Sequence, residues 1–476
     1  MSAPPPSNQP SRAPWTLTLA QAAAQVGGDL LGGDVAFGGV GIDSRQALAG
    51  RLYVALRGER HDGHDFAAAA RDQGALALMV ERPLDVPLPQ WRVADTRLAL
   101  GRLAAAHRQA FRGRVLALTG SNGKTTTKEM VAAILSRLGR VRATRGNLNN
   151  DIGLPLTLLE AGEEDFLVLE MGANHPGEIA YLSGIAQPEV AAITNAGRAH
   201  LEGFGSLEGV ARAKGEIVQG LGPAGTVIFA ADSPWAGLWR QLAGDRRCLT
   251  LGAQAPADLI LDLGGVVTRW DAEGFRTCCQ VRGPDLSLDL VLPLAGLHNV
   301  RNALVALGLV LALGLSPAEL LPAIRAGLAG MRPVPGRLCP RQLPGGARLI
   351  DDSYNANPDS VEAAIAVLMG LPGRHLLVLG DLGELGPRAP QLHRGLGLKA
   401  REAGVEALYT LGPLSAEAAA AFGPRARHFT DQSALIAALR QELTPADLIL
   451  VKGSRRSAMD RVADALCCSR DAPQEG

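Results

Sequence analysis

Lysine is almost missing from this chain of 476 residues. Of its 47 basic residues, 42 are arginine and five are lysine: Lys124, Lys128, Lys214, Lys399 and Lys452. Codon bias produces skews of this kind. A chain that uses arginine wherever positive charge suffices keeps lysine for what arginine cannot supply, a compact point charge or a nucleophilic amine. Cysteine is sparse too. Cys248, Cys278, Cys279, Cys339, Cys467 and Cys468 contain no C-x-x-C pair, and four of them lie in two adjacent pairs. That excludes a disulfide framework and a zinc site of the usual spacing, and it predicts free thiols in a reducing, cytoplasmic setting. Net charge is absent, 47 basic against 47 acidic residues, which excludes a strongly basic nucleic-acid binder and an acidic solvating tail. The longest apolar run, ALVALGLVLALGL at 303–315, has 13 residues where a membrane span needs about 20, so it predicts a buried core helix and no membrane insertion. The first 14 residues, MSAPPPSNQPSRAP, lack an apolar stretch and are expected to form a disordered tail, not a signal peptide.

What remains is an ordinary globular composition, 47% hydrophobic and 20% charged, at a length suited to about three domains. Helix-like and strand-like segments alternate, which predicts α/β domains with mostly parallel sheets. In the first unit VAFGGVGID, RLYVAL and ALALMV read as strands, and HDFAAAARDQG and TRLALGRLAAAHRQAF as helices. In the second, VLALT, FLVLE, VAAIT and TVIFA read as buried parallel strands. A polar, more β-like stretch at 257–294 and a long helix over GLHNVRNALVALGLVLALGL follow. MRPVPGR, 331–337, reads as a linker. A third unit then has RLIDD, HLLVLGD, ALYTLG and DLILVKG as strands.

VLALTGSNGKTTTKEMVAAIL runs strand, glycine turn, helix. Gly120 and Gly123 permit the tight backbone that turns N–H groups toward a phosphate. Lys124 would reach the β- and γ-phosphates, the Thr125 hydroxyl would sit on Mg²⁺, and the helix N-terminus favours the same anion. The loop is the short form G-x-x-G-K-T, because the longer pattern needs glycine at 118 and the residue is Leu118. Ligands of open parallel sheets bind beyond the carboxyl ends of the strands. Glu170 ends FLVLE and His200 lies six residues past VAAIT, so both are expected at that edge as Mg²⁺ ligands, although histidine prefers softer metals. Lys214 lies in SLEGVARAKGEI, read as a helix capped by Ser206. A free ammonium there would repel Mg²⁺, whereas an uncharged amine can take up CO₂ and become a carbamate. VLGDLGELG is spaced G-x-x-G-x-x-G and so is not a dinucleotide fingerprint. His107, His175, His298 and His393 read as capping, surface or core residues, and Trp235, Trp239 and Trp270 as packing.

TGSNGKTTTKEM, RGNLNNDIGLPLTLL, LEMGANHPGEI, TNAGRAHLEGFGS, ARAKGEI, GLHNVRNALVA, DDSYNANPDSV, VLGDLGELG and VKGSR together resemble the Mur ligase family. These are ATP-dependent amide ligases of peptidoglycan precursor synthesis. GIDSRQALAGRLYVALRGERHDGHDF adds the first unit, so the likeness covers nearly the whole chain after the tail. TTTKEM, EMGANHPGEI and DDSYNANPDS look most like the members that join D-alanyl-D-alanine to UDP-MurNAc-tripeptide. One departure is Leu382, where methionine is usual, a swap of similar volume.

The resemblance implies an N-terminal α/β UDP-substrate domain (15–110), a central P-loop ATPase domain (111–330) and a C-terminal Rossmann-like ligase domain (331–476). It implies that Gly120, Ser121, Asn122, Gly123, Lys124, Thr125 and Thr126 hold ATP phosphates. Thr125 and Glu170 would bind one Mg²⁺ and His200 a second, with Lys214 carbamylated. Asn299 would lie near adenine, and Arg337 and Asp352 would contact the nucleotide. Asp43, Ser44, Arg45 and HDGHDF would lie near the UDP moiety, and Asn147, Asn149 and Asn150 at the sugar or phosphate side of that substrate. Asn355 and Asn357 would line the dipeptide or ATP, and Lys452 and Ser454 the cleft. The expected partners are UDP-MurNAc-tripeptide, D-alanyl-D-alanine and ATP, with no nucleic acid, and the chain is expected to be a monomer. Two alternatives stand: another amino-acid ligase of the superfamily, including the folylpolyglutamate type, and a regulatory P-loop NTPase that needs no amine acceptor. Three substrates met by three domains imply a closure of the third domain about the RPVPG linker.

Overall fold

The buried apolar runs of the second unit assemble into one nine-stranded sheet. Its order is Leu286–Leu292, Gly274–Gly283, Leu259–Asp271, Arg247–Gly252, Thr226–Ala230, Val190–Ile193, Arg114–Thr119, Phe166–Glu170, Val141–Ala143. The computed structural model describes residues 15–254, 256–284 and 286–468, so the expected tail at 1–14 lies outside the described residues. The sheet is parallel from Val141–Ala143 to the start of Leu259–Asp271, and the last two pairings are antiparallel. Arg114–Thr119 has Phe166–Glu170 on one side and Val190–Ile193 on the other. The chain therefore leaves this strand toward one half of the sheet and later returns to build the other. Such a switch point opens a crevice at the carboxyl ends of the strands.

The first unit carries a five-stranded sheet, ordered Asp29–Leu31, Gln90–Arg92, Ala77–Val80, Leu52–Val54, Val40–Gly41. The run 35–43, expected as one strand, is two. Ala36–Phe37 pairs with Leu17–Thr18, whereas Val40–Gly41 joins the larger sheet. Gly39 between them has φ +89°, a left-handed turn that breaks the strand. The segment 64–74 opens as a 3₁₀ turn, Gly63–Phe66, before the α-helix Ala67–Asp72. Helix Thr96–Ala110 starts at Asp95, whose Oδ1 accepts from the N–H groups of Arg97 and Leu98. Its Leu100, Leu103 and Ala104 share one apolar core with Leu154, Leu158 and Ile185 of the second unit, so the first two units are packed together rather than strung.

The third unit has a six-stranded sheet, ordered Cys339–Gln342, Arg348–Asp352, Asp447–Lys452, Arg374–Gly380, Ala407–Leu411, Ala426–Phe429. All its pairings are parallel except the first. The apolar run at 303–315 forms most of helix Leu297–Leu311, buried as expected. That helix ends four residues early, and Gly314, at φ +66°, turns the chain into the next helix, Pro317–Ala329. The facing ends of the strands Leu259–Asp271 and Gly274–Gly283 carry Trp270 and Phe275, register partners that pack edge to face into the core of the third unit. Residues 331–337 link the second and third units without a helix or strand. Among the described residues, no helix is long and apolar enough to cross a membrane.

Candidate active site

A cavity of about 1430 Å³ opens at the carboxyl ends of the central strands and is walled by the second and third units, with Asp95, Arg97 and Leu98 of the first at its rim. Its floor is the glycine loop. Gly120 at φ +148° and Gly123 at φ +81° adopt backbone that side chains avoid. A Cβ at Gly120 would run into the Thr194 hydroxyl, and one at Gly123 into the Asn302 amide. The loop is braced by the segment after strand Val190–Ile193. The Asn122 N–H donates to Asn195 Oδ1 (2.9 Å), Thr194 Oγ1 donates to the Asn122 carbonyl (2.6 Å), and the Gly197 N–H donates to Ser121 Oγ (2.9 Å). Helix Lys124–Leu135 starts at once. Lys124 Nζ turns back to donate to the carbonyls of Gly120 (2.7 Å) and Ser121 (3.4 Å). Desolvation lowers its pKa, Glu170 opposes the shift, and Arg337 adds to it.

Glu170 ends its strand, as expected, beside the loop: its register partner is Leu118. Its Oε1 accepts from Asn149 Nδ2 at 2.9 Å, while Oε2 is buried without a partner. An unpaired buried carboxylate oxygen facing a cavity is costly unless a cation completes it. The Thr125 hydroxyl supplies a second hard oxygen donor. Among the described residues, no group of three His, Cys, Asp or Glu side chains could hold a metal alone. A site of one carboxylate and one hydroxyl suits Mg²⁺, which keeps water and phosphate oxygens in its shell. Asn147, Asn149 and Asn150 all line the cavity, and Asn150 Oδ1 also accepts from the Gly153 N–H at the start of helix Gly153–Leu159.

His200 lies on the wall in a left-handed conformation, φ +52°, and its Nδ1 is 2.6 Å from Glu384 Oε2 of the third unit. Glu384 is left-handed as well, at φ +60°, so two strained residues meet across the units. Ser206 caps helix Leu207–Gly215, as expected, accepting from the Gly209 N–H. That helix buries Lys214. Its Nζ lies 5.0 Å from the centre of the Phe204 ring and 3.5 Å from the Ala173 carbonyl. Desolvation, helped by the charge of Lys124 and opposed by Glu178 and Glu216, pushes its pKa down to about 7.

The third unit reaches the glycine loop directly. Arg337 Nη2 donates to Thr125 Oγ1 at 3.0 Å, and its guanidinium stacks on Tyr354, 4.4 Å from the ring centre. Asn357 caps helix Pro358–Met369 and donates from Nδ2 to Asn122 Oδ1 at 2.7 Å. Lys452 Nζ meets Asp352 Oδ2 at 2.6 Å and the Asn355 carbonyl at 3.1 Å. Burial raises the Asp352 pKa against the pull of Lys452. Ser454 also lies on the wall, and its Oγ donates to the Asp381 carbonyl. Asn299 is buried at the wall, donating to the Ala295 carbonyl and accepting from Asn302. The cavity thus gathers Ser121, Asn122, Gly123, Lys124, Thr125, Thr126, Glu170, His200, Asn299, Arg337, Asp352, Asn355 and Asn357.

Other residues sit elsewhere. Asp43, Ser44 and Arg45 lie apart from this cavity, on the loop after strand Val40–Gly41. Arg45 clamps Asp43 through Nε and Nη2, both at 2.9 Å, and holds the carboxyl down to about 2. In HDGHDF, Asp62 pairs with His64 and Arg82. His298, expected to be a bland residue, is on the cavity wall, with burial pushing its pKa down to about 4. His393 is a core residue that accepts from the Leu382 N–H, and Leu382 itself is buried. Sequence reasoning missed Asn195, Asn302, Arg198 and Asp359. For Asn195 and Arg198 proximity to His200 was a signal; for the contacts of Asp359 there was none.

Fold and site together define an enzyme of the P-loop class, with its reaction chamber shared between α/β units. Three family profiles match: "Mur ligase family, catalytic domain" over 36–108, "Mur ligase middle domain" over 118–310 and "Mur ligase, glutamate ligase domain" over 336–455. The chain belongs to the Mur ligase family. It is 46% identical over 455 residues to the UDP-N-acetylmuramoyl-tripeptide–D-alanyl-D-alanine ligase of Escherichia coli K12, covering 95% of this chain and 98% of that one. The crystal structure of MurF from Acinetobacter baumannii matches with a TM-score of 0.88 at 36% identity, covering 95% of this chain and 99% of the other. The MurF ligase from Thermotoga maritima, in complex with ADP, matches with a TM-score of 0.79 at 30% identity, covering 90% and 96%.

Proposed function

We propose that this chain joins D-alanyl-D-alanine to UDP-N-acetylmuramoyl-tripeptide, converting ATP to ADP and phosphate and yielding the pentapeptide precursor of peptidoglycan in the cytoplasm. The observation that carries the reading is the meeting of third-unit side chains with the glycine loop, Arg337 on Thr125 and Asn357 on Asn122. An acceptor bound between the units would lie against the phosphates. The choice of dipeptide and tripeptide rests on the nearly full-length likeness to ligases named for that reaction.

A carboxylate is a poor electrophile. Transfer of the γ-phosphoryl group to the tripeptide carboxylate makes an acyl phosphate. The dipeptide amine attacks its carbonyl, loses a proton, and inorganic phosphate leaves. The protein's share is orientation and charge placement. Lys124 would leave the Gly120 and Ser121 carbonyls for the γ-phosphate. Loop N–H groups and the helix N-terminus would hold the β-phosphate. Arg337 and Asp352 would contact the nucleotide from the third unit, and Asn299 would flank adenine. Bound Mg²⁺, held by Thr125 and Glu170 and at a second position by His200 and carbamylated Lys214, would offset the repulsion between triphosphate and attacking carboxylate. Lys214 is suited to that modification because CO₂ reacts with the free amine, releasing one proton. The UDP moiety would lie toward Asp43, Ser44, Arg45 and HDGHDF, and Asn147, Asn149 and Asn150 would meet the sugar or phosphate side.

Phosphate release measured with UDP-MurNAc-tripeptide, ATP and D-alanyl-D-alanine, omitting each in turn, tests the reading. Release is expected only with all three. Equal release with single amino acids, or without any amine, would overturn it.

A further inference from the structure

Arg198 lies two residues before His200, but its side chain turns from the cavity toward the third unit. Gly197, Ala199 and His200 are on the cavity wall and Arg198 is not. Its main-chain N–H donates to Asp359 Oδ2 (2.6 Å), its Nε to Asp359 Oδ1 (2.5 Å) and its Nη2 to Glu362 Oε1 (2.7 Å). Asp359 and Glu362 are three residues apart and share one face of helix Pro358–Met369. A Cβ at the neighbouring Gly197 would collide with the Asp359 carboxylate, so helix and loop touch closely. The loop's other side is bound to the glycine loop through Thr194, Asn195 and Gly197. The same helix sends Asn357 to Asn122. One helix of the third unit therefore grips both the loop that carries His200 and the phosphate loop it braces.

We infer that Arg198 is a positioning residue for ligation, a fork that locks helix Pro358–Met369 onto the His200 loop so that docking of the third unit and the shape of the phosphate loop are set together. The inference rests on the ligase reading above. Lysine offers one nitrogen and cannot take both carboxylates in the planar fork. Arg198 is off the cavity wall, so the loss should appear in kcat more than in KM.

The test compares Arg198→Met, Arg198→Lys, Asp359→Asn and the double variant Arg198→Met/Asp359→Asn with the wild type. Arg140→Met serves as control, because Arg140 pairs with Glu163 at the surface within one unit. In the phosphate-release assay Arg198→Met should lower kcat about tenfold to thirtyfold with each KM within about threefold, and Arg198→Lys should recover part of the loss. The double variant should be no slower than Arg198→Met, because the two residues act as one unit. Melting temperatures should match the Arg140→Met control. A kcat within twofold of wild type for Arg198→Met, or a double variant as slow as the product of the single losses, would overturn the inference. X-ray scattering with a non-hydrolysable ATP analogue and Mg²⁺ gives a second reading that needs no peptide substrate. Arg198→Met should be more extended than wild type, and identical envelopes would count against the lock. If the wild type itself shows no dipeptide-dependent phosphate release, the ligase reading fails, and scattering alone decides whether Arg198 docks the third unit.

Discussion

Lys214→Arg should keep the helix Leu207–Gly215 and abolish most ligation, and the size of the effect follows from where the amine lies. Its Nζ is buried against the Phe204 ring and the Ala173 carbonyl. Burial takes its pKa from the ordinary 10.5 to about 7, so at pH 7 the neutral fraction rises from about 1 in 3000 to about one half. CO₂ reacts with the neutral amine, so the reactive fraction at pH 7 is about a thousandfold larger than for an exposed lysine. A guanidinium stays protonated and cannot follow. Losing one preorganised charge contact should cost about 3–4 kcal/mol, or about 10²–10³ in kcat. Two measurements decide. With ¹³C-bicarbonate, a carbamate carbon signal should appear in the wild type and not in Lys214→Arg. In wild type freed of CO₂, phosphate release should fall and recover on adding bicarbonate. A Lys214→Arg enzyme turning over within tenfold of wild type would refute the reasoning. The same shift has a signed effect on stability. The folded pKa is below the unfolded one, so the folded state is penalised fully below pH 7, and the penalty fades as pH rises from 7 to 10.5. The penalty is at most about 5 kcal/mol. In CO₂-free buffer, Lys214→Met should therefore exceed wild type in stability at pH 6, by a margin that narrows at pH 9 in urea unfolding.

Three further outcomes are expected. Glu170→Gln replaces the unpaired carboxylate oxygen by an amide and should weaken Mn²⁺ binding, read by electron paramagnetic resonance, while kcat falls about 10²–10³. Gly123→Ala forces a side chain into φ +81° and against the Asn302 amide, so calorimetry should find nucleotide binding lost, and urea unfolding a cost of at least about 1–2 kcal/mol. Trp239→Ala empties a fully buried site that packs on Phe229 and donates to the Ala211 carbonyl, and should cost about 3–5 kcal/mol in urea unfolding.

The central sheet was legible because its strands are buried on both faces and read as unbroken apolar runs: VLALT, FLVLE, VAAIT and TVIFA all became strands. The first unit was harder to delimit. Its run at 35–43 alternates apolar residues with glycines, and φ at Gly39 decides that it splits, a property no periodicity shows. Helix Thr96–Ala110 was found, but not that its core is shared with the second unit, because packing partners leave no trace in the spacing of a single helix. At the site, the glycine loop and Glu170 were legible from position alone, a strand end and the turn after a strand. The grip of Arg198 on Asp359 was not: 161 residues separate the partners, and each is an ordinary charged residue in its own segment.

The scarcity of lysine makes physical sense once burial is known. Lys128, Lys214 and Lys452 are 1%, 1% and 2% exposed, Lys124 is half-buried in the phosphate loop, and only Lys399 has a mostly exposed side chain. A buried cation must have its donors satisfied, and lysine brings three where arginine brings five in a rigid fork. Lys128 uses the Thr144 carbonyl and Glu129, and Lys452 uses Asp352 and the Asn355 carbonyl. A guanidinium in either place would leave N–H groups unpaired in a dry interior, each at a cost of about 1–3 kcal/mol. Lys128 also holds a wall of the cleft: it grips the carbonyl of Thr144, whose hydroxyl accepts the main-chain N–H of Glu170. Lysine therefore survives where room is short or the proton must be able to leave. In a chain otherwise committed to arginine, two of the five lysines, Lys124 and Lys452, line the cavity, and Lys128 and Lys214 are buried beside it.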